Sequence, residues 1–201
     1  NLRSGGRNDG CWRKTKMEKT TAKHMSTAQM TVTALMTAIT CILAPMALPI
    51  PISPVPISLT NLVIFFMAYI LGMKLSVASY VLYLLLGTVG LPVFSGFSGG
   101  LGKLIGPTGG YLAGFLFLIV IAGIFMDKAS GRYRILFILA GMILGSVITY
   151  LFGTAWLTFQ MNLTFVQGLF TGVIPYLPGD ALKIVLAILV GPQIRKRLPE
   201  R

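Results

Sequence analysis

The sequence predicts an all-α integral membrane protein of six transmembrane helices, with the N- and C-termini both cytoplasmic. Three observations lead there. Hydrophobic residues make up 55% of the chain and charged residues 11%, whereas a soluble domain carries charge at about a quarter of its positions. Apolar stretches recur along the chain, and a spanning helix consumes roughly 20 such residues. Once six spans are drawn, fifteen of the seventeen Lys and Arg residues fall on one face, the positive-inside signature of the cytoplasmic side.

The elements follow in order. Asn1 to Lys16 is polar, basic and glycine-rich without the apolar centre of a signal peptide. It is read as a disordered leader or expression-derived arm, with Met17 as the native start and residues 17–201 as a single membrane domain. The first span runs from Thr27 to Leu48, and Pro49, Pro51, Pro54 and Pro56 end it. Prolines at that spacing remove donors and favour extended backbone, so Pro49 to Ile57 is expected as a non-helical loop. The second span, Ser58 to Leu71, is short; Gly72 and Lys74 separate it from the third, Leu75 to Leu91. The glycine-rich stretch Pro92 to Gly110 precedes a fourth span, Tyr111 to Met126, and a charged loop. The fifth span covers Ile135 to Phe159. Asn162 to Gly172 suits a short amphipathic helix, and Pro175 and Pro178 break the backbone before the sixth span, Gly179 to Gln193.

This layout excludes several function classes. Six spans leave no room for an ATPase, a cytosolic enzyme domain or a DNA reader. The net charge of +12 sits in the arm, the cytoplasmic loops and the tail, not on a face interleaved with aromatics, so no nucleic-acid partner is expected. "GGLGKLIG" is not a phosphate loop, because G-x-x-x-x-G-K-[ST] needs Gly and Ser or Thr where Phe97 and Leu104 stand. Cys11 and Cys41 are not expected to pair, no His/Cys set has metal-ligand spacing, and His24 lies in the arm.

One acid breaks the charge sorting. Asp9, Glu18, Asp127 and Glu200 fall in cytoplasmic segments, but Asp180 opens the sixth span three residues before Lys183. Positions i and i+3 share a helix face, and a charge within a membrane costs about 2.5 to 3.5 kcal/mol on insertion scales. Asp180 is read either as a charge on a helix N-terminus neutralised by Lys183, or as part of a polar ligand pocket. The external loops favour the pocket: they are rich in Gly, Pro, Ser and aromatic residues. Non-helical backbone at membrane depth is tolerated where it is buried in protein or lines a cavity. In the first span Ala34 and Ala38 are four apart, a spacing that suits close helix contact, within the bundle or with another protein. Gly141 and Gly145 repeat it in the fifth.

The runs "PISPVPISL", "GTVGLPVFSGFSGGLGKLIGPTGGYLAGF" and "LPGDALKIVLAILVGPQI" closely resemble the BioY family, the biotin-specific substrate-binding (S) components of energy-coupling factor (ECF) transporters. The resemblance covers Thr27 to Arg197 and implies the ECF S-component fold. It implies capture of biotin from outside the bacterial or archaeal plasma membrane, under the proline-rich loop. It further implies assembly with a transmembrane coupling protein (T component) and two cytoplasmic ATPases, which use the ATP. Toppling of the subunit then releases the vitamin inside. No cofactor is expected in this chain, and Ala34 and Ala38 match the motif by which S components dock.

For the site, Asp180 is expected to accept from ureido N–H groups, and Lys183 to face either the carboxylate tail or the ureido carbonyl. In the second case backbone N–H groups of the glycine-rich loop hold the tail; Ser95, Ser98 and Gly99 of that loop are expected among the ligand-binding residues. Phe94, Phe97, Tyr111, Tyr150 and Tyr176 are the expected walls. Thr60 and Asn61 depart from the Gln-Thr pair expected of the family. The competing readings are a carrier for another small vitamin or organic acid, and an intramembrane enzyme using Asp180 and Lys183 as acid and base.

Overall fold

The computed structural model describes residues 26–50 and 53–197. The N-terminal arm with Cys11 and His24, Pro51, and the last residues including Glu200 lie outside the described residues. The order of elements is α1 (Thr27–Leu43), β1 (Ala47–Ile50), β2 (Ser53–Ser58), α2 (Thr60–Thr88), α3 (Leu101–Ile105), α4 (Gly109–Lys128), a 3₁₀ turn (Gly131–Tyr133), α5 (Arg134–Met161), α6 (Phe165–Gly172) and α7 (Leu177–Lys196). Among the described residues four helices are long and apolar enough to cross a membrane: α2, α4, α5 with its preceding turn, and α7. Helix α1 is apolar and shorter.

Helix α2 is two arms, not one rod. Gly72 adopts φ 72° and ψ 179° inside it, a conformation that is essentially glycine's alone. Nine residues of straight helix would span about 13 Å, yet the Ser76 hydroxyl donates to the Met67 carbonyl at 2.8 Å; the chain therefore folds back at Gly72. The break also splits a helical hydrogen bond. The Met73 N–H, which would otherwise donate to Tyr69, donates to Asp127 Oδ2 at 3.4 Å. The Tyr69 carbonyl in turn accepts from Arg195 at 3.1 Å. Two charged side chains thus cap the two sides of the turn.

The first arm, residues 60–71, is buried over most of its surface: Val63, Ile64, Phe65, Met67, Ala68 and Leu71 belong to the core, and Leu62, Phe66 and Ile70 on one face are half-buried. Helices α1, α4 and α7 pack against α2. Helix α1 buries Thr33, Met36, Thr37 and Thr40, with the Thr37 and Ser79 hydroxyls 2.8 Å apart. Helices α4 and α5 approach closely because their contact is lined with glycine. A Cβ on Gly141 would lie 2.5 Å from the Phe125 Cβ, and one on Gly145 3.1 Å from the Leu118 Cα. These two glycines therefore serve packing within the bundle. The outer faces keep large apolar side chains exposed, among them Leu136, Phe137, Leu151, Leu182 and Leu189, as lipid contact requires.

Several boundaries differ from expectation. Helix α1 stops at Leu43, before Pro45, rather than reaching Leu48. The proline-rich segment is extended as expected, but its strands pair antiparallel, Ala47 opposite Ser58 and Leu48 opposite Ile57, so the fold is not purely α. Pro178 lies in the first turn of α7 instead of preceding the helix, since proline's fixed φ and missing N–H suit a first helical turn. Helix α6 forms within the segment read as amphipathic. Thr164 Oγ1 accepts from the Gln167 N–H, and Gln167 Oε1 accepts from the Thr164 N–H at 3.0 Å, a capping box.

One end of the bundle gathers Gly72, Asp127 and Arg195. The opposite end gathers the hairpin, residues 92–110, α6 and the start of α7. There the Gly96 N–H donates to the Pro45 carbonyl at 3.1 Å and Trp156 Nε1 to the Gly106 carbonyl at 3.0 Å. These contacts fold the glycine-rich segment over the bundle.

Candidate functional site

A cavity opens at that second end, between the first arm of α2, α4, α5 and the start of α7, with the hairpin and residue 95 at its rim. The geometry begins with α7. Its first turn carries Asp180, whose N–H donates to the Tyr176 carbonyl at 2.9 Å. One turn on, Lys183 shares its inward face, and the two side chains form an ion pair at 2.9 Å. Asp180 is only 7% exposed.

Three groups converge on this pair. Asp180 Oδ2 accepts from Asn61 Nδ2 at 2.8 Å and from the Tyr150 hydroxyl, while Oδ1 accepts from Lys183. Lys183 Nζ also donates to the Ser58 carbonyl at 2.9 Å. Asn61 lies in the first turn of α2 and Asp180 in the first turn of α7, so their bond joins two helix N-termini. A lysine ammonium has three protons; two are accounted for here. The carboxylate of Asp180 and the ammonium of Lys183 cancel, so the polar end of the cavity is formally neutral but dense in donors and acceptors.

The hairpin is tied to the same residues. The Tyr176 hydroxyl donates to the Val55 carbonyl, and Lys183 holds the other end of β2 through Ser58. The remaining wall is apolar and aromatic, with Tyr83, Leu112, Phe115 and Leu118 along it. Tyr111 is fixed by donation to the Gly172 carbonyl at 3.0 Å. A concave apolar wall with a few convergent polar groups at one end is the common form of a small-molecule site.

Of the residues expected from sequence, Asp180, Lys183, Ser95, Tyr111, Tyr150 and Tyr176 come together around the cavity. Phe94, Ser98 and Gly99 do not line it. Phe94 is fully buried and packs edge-on against Tyr83, at 5.6 Å between ring centroids, where Gly87 leaves room for its ring. The Ser98 hydroxyl donates to the Ser95 carbonyl at 2.9 Å, and Gly99 lies so close to the Leu91 carbonyl that a Cβ would meet it at 2.3 Å. Phe97 is 70% exposed. These residues build the turn that presents Ser95. Ala34 and Ala38 are both exposed on the outer face of α1, opposite its buried threonines.

Sequence reasoning missed Asn61, Ser146 and Thr149, all of which line the cavity. Ser146, Thr149 and Tyr150 recur at i, i+3 and i+4 directly after eleven apolar residues of α5 (135–145), and that stripe was a readable signal. Among the described residues no group of His, Cys, Asp or Glu could hold a metal ion.

The comparisons with known proteins agree with one another. The model of the BioY family matches residues 16–200. The biotin transporter BioY of Thermotoga maritima is 36% identical over 152 residues, covering 76% of this chain and 88% of that protein. The biotin transporter BioY of Rhizobium etli is 36% identical over 185 residues, covering 87% and 97%. Among solved structures, the S-component for biotin from an ECF-type ABC transporter superposes with a TM-score of 0.77 at 31% identity, covering 87% of this chain and 96% of that one. On the family match and these relatives, the chain belongs to the BioY family.

Proposed function

We propose that this chain is the biotin-binding membrane subunit of an ECF-type uptake transporter, and that the vitamin's ureido ring sits at the Asp180–Lys183 end of the cavity. The observation that carries the placement is the neutrality of that end. Lys183 is already paired at 2.9 Å, so it offers a third N–H to a carbonyl rather than an uncompensated charge to a carboxylate. Asp180 Oδ1 accepts from Lys183 alone, and its second lone pair is open to a ureido N–H. The ring system then lies along Tyr83, Phe115 and Leu118, and the carboxylate tail points towards Ser95 and Thr108 at the rim. The hairpin, held by Tyr176 and Lys183, closes over the ligand. The chain is a transport subunit, not an enzyme, and the reading requires no cofactor of its own.

Six spans and cytoplasmic termini are part of the same reading. The two arms of α2 count separately once the fold-back at Gly72 is recognised, and α1 supplies the sixth. Lys74, Asp127 and the tail then share the end that holds Arg195, which the positive-inside rule assigns to the cytoplasm. Partners follow from the S-component likeness: a transmembrane coupling protein, docked on the outward face that carries Ala34 and Ala38, and two ATPases.

A titration of the detergent-purified protein with biotin, thiamine and riboflavin tests the ligand. Tight binding of biotin alone is expected. Binding of another vitamin in its place would sink the assignment while leaving the membrane fold standing.

A further inference from the structure

The hydroxyls of this protein's helices are well served. Thr33, Thr37, Thr40 and Thr149 each donate to the carbonyl four residues earlier, at 2.7 to 3.0 Å. Ser146 does not. Its Oγ is buried and has no hydrogen-bond partner, and among the described residues it shares that condition with one other side-chain atom, Asn61 Oδ1. Both residues are more than nine-tenths buried, at 7% and 6% exposure, and both line the cavity. An orphaned buried polar atom costs free energy that a folded protein normally avoids, so two of them around one cavity call for a partner from outside the chain.

The orientation of the Asn61 amide is not arbitrary. An ionised carboxylate only accepts, so the Asn61 NH₂ must face Asp180 Oδ2 and its oxygen must face elsewhere. Asp180 thereby fixes Asn61 Oδ1 as an acceptor beside the same polar end. Ser146 lies one helical turn before Tyr150, the residue of α5 that donates to Asp180.

We propose that Asn61 Oδ1 and Ser146 Oγ are specificity-determining contacts of the site, Asn61 accepting the ureido N–H that Asp180 does not take and Ser146 donating to the ureido carbonyl. This rests on the biotin reading given above and assigns the two atoms that reading leaves unused. It asks for a ligand whose neutral head carries two donors flanking one acceptor. A carbonyl oxygen has two lone pairs, so Ser146 and Lys183 can serve it together.

The test is a binding cycle on the purified full-length chain, with biotin and the two cyclic carbamates in which an oxygen replaces one or the other ureido N–H. The wild type is expected to bind one carbamate roughly 10- to 100-fold more weakly than biotin. Asn61→Ala is expected to bind biotin more weakly by a similar factor and to lose nothing further on that carbamate. Any disturbance of Asp180 by the variant affects both ligands alike and cancels in the cycle. If the two losses multiply instead, Asn61 acts on the site without touching the ligand and the proposal fails. Ser146→Ala is expected to weaken biotin roughly 5- to 20-fold while leaving the thermal midpoint of the ligand-free protein unchanged or higher, because an unpaired hydroxyl has been removed; unchanged affinity would overturn the serine's role. A wild type that binds no biotin would overturn the reading beneath this one and this one with it.

Discussion

Asn61 and Asp180 stand 119 positions apart and are joined by a hydrogen bond of 2.8 Å from the amide nitrogen to Oδ2. The bond links the first turns of α2 and α7, and it makes Asp180 as much an organiser of the cavity as a ligand contact. With Tyr150 and Lys183 also bound to it, the carboxylate sets the direction of three neighbouring side chains.

Replacing Asp180 by asparagine should therefore do more than remove one contact. An amide can present its oxygen towards Asn61 and Tyr150 or towards Lys183, not both, and the Lys183 ammonium is left buried without its counter-charge. The expected loss is about 2 to 4 kcal/mol of binding free energy, measured by isothermal titration with biotin. Affinity equal to wild type would show that the network does not support the ligand.

Tyr176 joins the hairpin to α7 through the Val55 carbonyl. Tyr176→Phe keeps the ring and removes the tie, a change of about 1 kcal/mol. Stopped-flow dissociation of biotin should be roughly fivefold faster, with association little changed; an unaltered dissociation rate would show that the hairpin is held by other means.

At Gly72 the backbone lies at φ 72° and ψ 179°. Any Cβ there is strained, and Gly72→Ala should lower stability by about 1 to 3 kcal/mol. Thermal unfolding in detergent reads this directly. A midpoint equal to wild type would mean that the fold-back survives without glycine.

The outer face of α1 makes a separable prediction. Ala34 and Ala38 are exposed and remote from the cavity lining. Ala34→Trp should bind biotin as wild type does, yet abolish uptake by vesicles reconstituted with the coupling module. Loss of both together would indicate misfolding rather than failed docking.

Much of this was legible in the sequence, for identifiable reasons. Charge sorting exposed Asp180 because a buried carboxylate is rare enough to stand out, and its spacing from Lys183 predicted a pair that exists at 2.9 Å. Gly72 was read as a break, although its positive φ was not. Asn61 was noticed only as a departure from the expected Gln-Thr pair, since nothing local announces a partner more than a hundred residues away. Phe94 was misjudged for a different reason. Its neighbours in sequence are loop-like, but the absence of a side chain at Gly87 admits the ring to the core. The hairpin escaped because prolines signal extended backbone without indicating whether that backbone pairs.

The fold-back in α2 also bears on the surrounding lipid. At 1.5 Å per residue its arms measure about 18 and 24 Å, against roughly 30 Å of hydrocarbon. The first arm is largely enclosed by the bundle, with only Leu62, Phe66 and Ile70 half-buried along one face, so its shortness meets few acyl chains. The second exposes Val81, Leu82 and Leu85, while α5 on its own exposed face presents a much longer apolar band. The mismatch is thus one-sided: α5 is longer than the hydrocarbon and sheds its excess length by tilting, so thinner bilayers should lean the subunit more strongly. Oriented infrared spectra across phosphatidylcholines of increasing chain length should show helix tilt falling with thickness; a constant tilt would mean that the lipid yields instead.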